Sequence, residues 1–314
     1  MTNSGKLSDD ELTEWLLEAG FIQSQCQMSI HYKYAPDGSK IVILSYVYDC
    51  VYWYTSESLG KCFVDALGKI FHVNFLGYVH WFMSIKIYQM KDHSISVDQA
   101  RCATSIATKY LDTSTVKAII KFYKTTLRYA MILTKNDTST SDEQVEKLTR
   151  EFNIHYRYCI GSLICLFYTR VDLSFAVHKV AKFSANPGKV HFEGLLHLLR
   201  YIRENRNLVL KYYADMNDAP VSDLLRQASI KTENHLMDFS DSTWQDCPDT
   251  GRITGSHIIF YQCGPIGHGT HVPVPVYQTG AESNYNTLCT TGMALAHFRM
   301  LIHELLNKDT YIVP

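Results

Sequence analysis

Carboxylates are sparse in the apolar stretches of this chain, and one of them stands where burial is otherwise favoured. The run "ILSYVYDCVYWY", from Ile43 to Tyr54, carries Asp49 as its single charge. The β-branched and aromatic residues on either side suit strands. A break at Tyr48-Asp49-Cys50 predicts a tight hairpin. Two roles are open to Asp49 there: a solvated turn residue, or a metal-binding carboxylate held rigidly above a sheet. Elsewhere, Thr279 and Glu282 have the spacing of a capping box at the start of a long helix. His268 and His271, in "HGTH", are too close for a helical metal pair and predict a polar turn. Asp246 and Asp249, in "QDCPDTG", are expected as surface turn residues.

The elements that must position these groups are those of an ordinary globular chain. Of 314 residues, 46% are hydrophobic and 19% charged, enough for two or three domains. The net charge of -1 excludes an overall basic nucleic-acid binder but not a local basic face. Nine cysteines form no C-x-x-C pair, which speaks against a zinc site and for free thiols. The start, "MTNSGKLSDDELTEW", is too polar and acidic for a signal or transit peptide. The longest apolar stretch, "CIGSLICLFY", is about half the ~20 residues of a membrane span. A cytoplasmic or nuclear location with no membrane partner is therefore expected.

Helical periodicity places Leu12, Trp15, Leu16 and Ala19 on one face, with Gly20 ending the helix. Strands follow around "APDGSK", then a helix from Leu59 to Phe71 and a strand pair broken at Gly77. "KNDTSTSDEQ" reads as a linker or exposed loop. In the next helical stretch, Phe192, Leu195, Leu196, Leu199 and Ile202 form an apolar face. Its other side carries Lys189, Arg200, Arg203 and Arg206, either a solvated charge face or one that tracks phosphates. "MDFSDSTW" and "GRITGSHIIFYQ" read as strands, "HVPVPVYQTG" as an edge or irregular strand, and Ala281 to Leu306 as a helix.

Taken in order, these segments resemble the reverse transcriptase and ribonuclease H portion of copia-type LTR retrotransposon Pol polyproteins. "GFIQSQ", "YVYDC", "FLGYVHWFMSIKI" and "SVDQARCATSI" are similar to successive polymerase segments of that family. "IGSLICLFYTRVDLSFAVHKVAKFSANPGKVHFEGLLHLLRYI" resembles its connection region, with Thr169-Arg170, Asp172, Pro187, His191 and Arg200-Tyr201 in step. "FSDSTWQDCPDTGRITG" and "AESNY" resemble the first ribonuclease H hairpin and the Glu-x-Glu-Tyr of the following helix.

The resemblance implies an α+β fold: an incomplete reverse-transcriptase palm entering a thumb (1–110), a thumb and helical connection (111–215), and an incomplete ribonuclease-H-like mixed-sheet domain (216–314). It implies RNA-directed DNA synthesis and RNA-strand hydrolysis, Mg²⁺ as cofactor, and RNA–DNA hybrid or DNA as partner. It also implies losses. Asp49 matches the second aspartate of the family's hairpin pair, and Tyr48 stands where the principal metal ligand belongs. A phenol with a pKa of about 10 is neutral at pH 7 and a poor ligand for a hard cation. Asp241 matches the first ribonuclease H acid and is expected to look toward Asn284, which occupies the slot of a lost glutamate. Glu282 flanks that slot as a candidate substitute. The chain is expected to begin after one catalytic strand and to stop before another, leaving a degenerate, inactive remnant in which Mg²⁺ is held weakly. Two alternatives stand beside this: residual metal-dependent ribonuclease H activity, or non-catalytic nucleic-acid binding through Lys182, Lys189, Arg200 and Arg203. The palm segment, short of packing partners for Ile41, Ile43, Trp53, Trp81 and Phe82, is expected to self-associate.

Overall fold

Leu12 and Leu16 lie one turn apart on α1 (Asp9–Glu18), and both are buried. They close a core with Phe21, Ile41, Ile43, Phe63 and Leu67. The computed structural model describes residues 9–47, 49–112, 124–128, 131–220, 235–262, 264–307 and 311–313. Within them the fold is mixed α/β with antiparallel sheets. The chain packs as two compact units, Met1–Phe82 with Met293–Ile312, and Met83–Gly292 with Val313–Pro314.

The first unit holds the sheet β1 (Ile22–Gln23), β2 (Ile30–Tyr34), β3 (Lys40–Tyr46) and β4 (Asp49–Tyr54), in that spatial order. Burial alternates along β3, so Ile41 and Ile43 face inward against Phe63 and Leu67 of α2 (Glu57–Ile70). Burying each such side chain stabilises by about 1.5–3 kcal/mol. Ile41 and Ile43 thus have their partners within this unit, contrary to expectation, whereas Trp53 and Trp81 are half exposed. The strand expected around Gly77 starts only at β5 (Trp81–Phe82).

The second unit begins with β6 (Ile85–Gln89) and β7 (Ile95–Asp98), completed by the distant β8 (Leu210–Tyr212). Its core lies among α3 (Ala100–Ala107), α4 (Asp142–Phe152), α5 (Tyr156–Ile164), α6 (Ser174–Ala181) and α7 (Lys189–Glu204). Ser141 accepts from the Gln144 N–H and starts α4, and Asn153 ends it at φ 53°. The expected exposed loop before α4 is tied down instead. Ser139 is buried, its hydroxyl donating to the Pro187 carbonyl at 2.9 Å.

α7 is covered on more than its apolar stripe. Besides Phe192, Leu195, Leu198, Leu199 and Ile202, the structure buries Gly194, His197, Arg200 and Tyr201, because α3, α4 and α6 all pack on this helix. The last sheet holds β9 (His235–Thr243), β10 (Thr254–Tyr261) and β11 (Gly264–His271). These pairings are antiparallel, and no parallel pairing of the expected mixed sheet is among those described. "HGTH" is not a turn: His268 to His271 lie inside β11, paired to β10. A final helix, α8 (Gly280–Leu306), follows. No helix among the described residues is long and apolar enough to cross a membrane.

Candidate functional site

Tyr46 pairs with Asp49 at the end of the β3–β4 hairpin, and Val47 follows Tyr46 at φ 55°, a positive φ of the kind that tight hairpin turns use. Asp49 is therefore the first residue of β4 and not part of the turn, and it is exposed. Tyr48 lies outside the described residues.

The strand β9 separates residues that the sequence places side by side. Successive side chains on a strand point to opposite faces. Asp241 pairs with Ser256, which pairs with Thr270, so these three share one face. Asp241 is exposed there, and its Oδ1 accepts the N–H of Ser242 at 2.8 Å. Ser242, on the opposite face, meets α8: its Oγ donates to Asn284 Oδ1 at 2.6 Å and lies 2.7 Å from Ser283 Oγ. The expected meeting of Asn284 with Asp241 is thus replaced by a meeting with Ser242.

Glu282 works at the start of α8. Thr279 Oγ1 accepts the Glu282 N–H at 3.1 Å, and Glu282 Oε2 accepts the Gln278 N–H at 2.9 Å. One of the helix's unpaired N-terminal donors, the Glu282 N–H, is satisfied in this way, and the Glu282 carboxylate ties down the chain just before the helix. Among the described residues, no three His, Cys, Asp or Glu side chains group closely enough to hold a metal ion. The neutral pair Ser242–Asn284, with Asp241 on the other face, does not fit a two-metal centre, which needs several converging carboxylates.

The four candidate nucleic-acid cations differ in exposure. Lys182 and Lys189 are exposed, Lys189 lying 3.8 Å from Glu151. Arg203 is half-buried, 3.6 Å from Glu204. Arg200 is buried, the result of the packing around α7.

A polar network in the helical middle carries several of the motif residues. Arg170 is only 2% exposed; its Nε and Nη2 donate to the two Asp172 oxygens at 2.9 and 2.8 Å. Tyr201 donates to Asp172 Oδ2 at 2.8 Å and lies under the guanidinium. Thr169 donates to Gln99, whose amide donates to the Cys165 carbonyl. His191 Nδ1 accepts the Gly188 N–H, and its ring stacks on Phe183 at 4.0 Å. Sequence reasoning singled out these residues without foreseeing their contacts; the Arg170-x-Asp172 spacing was the available signal.

Asp246 and Asp249 are not free surface residues. Asp246 pairs with Lys179 of α6 and accepts from Thr254 Oγ1 at 2.6 Å, and burial of the pair is substantial. Asp249 accepts the Lys135 N–H through both oxygens, at 3.0 and 2.9 Å. Together they fasten the β9–β10 hairpin to the helical part of the same unit.

The fold and these contacts define a mixed α/β chain with antiparallel sheets and a polar clamp in its helical middle. Its curated homologues include Pol polyproteins of copia-type retrotransposons. It is 24% identical over 295 residues to the retrovirus-related Pol polyprotein from transposon RE2 of Arabidopsis thaliana, covering 94% of this chain and 18% of that protein. It is 21% identical over 296 residues to the one from transposon TNT 1-94 of Nicotiana tabacum, covering 93% and 20%. To the putative transposon Ty5-1 protein YCL074W of Saccharomyces cerevisiae it is 22% identical over 295 residues, covering 92% and 84%. The chain thus spans about a fifth of the polyproteins' length but most of the yeast protein's. No family model and no solved structure matches it.

Proposed function

We propose that the chain is a retroelement-derived fragment of the reverse transcriptase and ribonuclease H region, keeping packing but not catalysis. In this reading, residues up to about 110 descend from palm and thumb, those up to about 215 from thumb and connection, and the rest from a ribonuclease-H-like domain. The order of the motif segments and the length of the match to the polyproteins support it.

The observation that carries the loss of activity is the contact between Ser242 and Asn284. Two neutral side chains meet where strand and helix approach, and Asp241 turns to the other face. Neutral oxygens attract a divalent cation far less than carboxylates do. Asp49 would remain from the polymerase site and Asp241 from the ribonuclease H site, neither holding Mg²⁺ tightly.

The test is hydrolysis of a labelled RNA–DNA hybrid, and extension of a primer on RNA, by residues 1–314 with Mg²⁺ or Mn²⁺. No product above the protein-free control is expected. Metal-dependent product abolished by Asp241→Asn or Asp49→Asn would overturn the proposal. Nucleic-acid binding is the weaker alternative, since burial removes Arg200 from the basic set.

A further inference from the structure

The sheets end on strands of unequal protection. Among the described residues, the edge strands β1 and β5 are two residues long, and β8 and β12 (Tyr311–Val313) are three. The edge strand β11 is longer, but it holds Pro265, and its register against β10 slips between Ile259 and Phe260. Short strands, prolines and bulges keep sheet edges from pairing with other chains. β4 has none of these. It is the edge of its sheet, six residues reading "DCVYWY", in unbroken register with β3. It lacks Pro and Lys, and its one charge, Asp49, stands at its first position.

Two hydrogen bonds fix which way the backbone groups of β4 point. The Ser45 N–H donates to the Ser29 carbonyl at 2.9 Å, on the β2 side of β3. The Thr55 N–H donates to the Lys40 carbonyl at 3.0 Å, on the β4 side. Bonding direction alternates along a strand. Val42, Leu44 and Tyr46 therefore bond toward β4 as Lys40 does, to Trp53, Val51 and Asp49. Cys50, Tyr52 and Tyr54 are left with their N–H and C=O groups aimed outward. No partner for these groups occurs among the described residues. The strand is also more exposed than its neighbour. Ile41 and Ile43 of β3 are buried, whereas Cys50 is exposed and Trp53 is 49% exposed.

An edge of this kind accepts another strand, and this one suits its own copy. Place two β4 strands antiparallel about a two-fold axis at Tyr52. Tyr52 then meets Tyr52 of the second copy, and Cys50 meets Tyr54. These are the residues with outward backbone groups, so each finds a partner on both chains. A shift of two residues would leave one of them unpaired on each chain. On the outer face, Val51 lies against Trp53 of the second copy, a β-branched and aromatic pair. Asp49 lies against Thr55 and not against a like charge. Thr55 itself neighbours Lys40, whose ammonium sits 5.3 Å from the Trp53 ring centroid on that same face.

We propose that the chain self-associates through β4, two copies joining their first-unit sheets into one across antiparallel β4 strands. The contact uses the same surface on both copies, so it closes as a dimer and does not propagate.

The test is sedimentation velocity of residues 1–314 under reducing conditions, from about 1 to about 100 μM. A dimer whose fraction rises with concentration is expected. Cys50→Pro removes an outward N–H without touching the bonds to β3, and is expected to weaken the dimer about tenfold or more. Cys50→Ser keeps that N–H and is expected to dimerise as the wild type does. A chain that stays monomeric, whether or not it takes up an added strand peptide, would overturn the proposal. So would a dimer that survives Cys50→Pro, or one that Cys50→Ser abolishes. If Cys50→Pro does not fold, hydrogen exchange of the wild type over the same concentrations decides. Protection that rises at the Cys50, Tyr52 and Tyr54 amides, with Val51 and Trp53 unchanged, would support it. A dimer that leaves those three amides unprotected would overturn it.

Discussion

Ser242 donates a 2.6 Å hydrogen bond to Asn284, while Asp241, its neighbour in the chain, points away from that helix. A strand's alternation makes this an either-or arrangement: residue 241 or residue 242 can face α8, not both.

A metal titration separates the two arrangements. Asn284→Glu alone is expected to leave Mg²⁺ affinity unchanged, because the new carboxylate meets Ser242 and not Asp241. Ser242→Asp combined with Asn284→Glu places two carboxylates against each other and is expected to bind Mg²⁺ measurably more tightly. Calorimetry or NMR on the folded proteins checks this. Tightening by the single variant to the level of the double would show that Asp241 shares the site after all.

The Arg170–Asp172 pair is expected to dominate stability in the helical middle. Arg170→Ala leaves the Asp172 carboxylate without its cation and with only the Tyr201 hydroxyl as donor, and breaking a buried pair of this kind costs about 3–5 kcal/mol. Tyr201→Phe removes one hydrogen bond to a charged group and should cost about 1.5–3 kcal/mol. Denaturant unfolding of both single variants and the double measures it. Additive losses would show that the three groups do not act as a network.

The start of α8 gives a smaller effect. Thr279→Ala is expected to cost about 1 kcal/mol, as lost N-caps do. Glu282→Ala should cost a similar amount by freeing the Gln278 N–H. Neither should change metal affinity. A Glu282 variant that abolished Mg²⁺ binding would instead make Glu282 a retained ligand.

Residues 1–110 expressed alone are expected to oligomerise or precipitate. The first unit includes Met293–Ile312, which that fragment lacks. Glu304 accepts from Ser24 at 2.5 Å and from the Gln25 N–H, and its carbonyl accepts from Tyr34; Lys40 donates to the Leu305 carbonyl. Leu76 at 91% exposure and Tyr78 at 76% add apolar surface. Adding a 293–312 peptide should raise the monomer fraction in sedimentation. A monodisperse, cooperatively melting 1–110 fragment would contradict this.

The sequence by itself determined the local elements and the resemblance to the polyproteins. Helical spacing of Leu12 and Leu16, and of Phe192, Leu195, Leu199 and Ile202, located α1 and α7, because the periodicity of an apolar stripe depends only on chain neighbours. Thr279 and Glu282 announced the cap that forms, and motif order pointed to the polyproteins. Only the tertiary structure decided what each element faces. Arg200 looked like part of a solvated face, yet α3, α4 and α6 surround α7 and bury it. "HGTH" looked like a turn, yet its glycine admits a histidine ring from the next strand. Asp241 looked like the partner of Asn284, yet strand register gave that place to Ser242. In each case the deciding term is burial or register set by residues far away in the chain, and neither is written in local spacing.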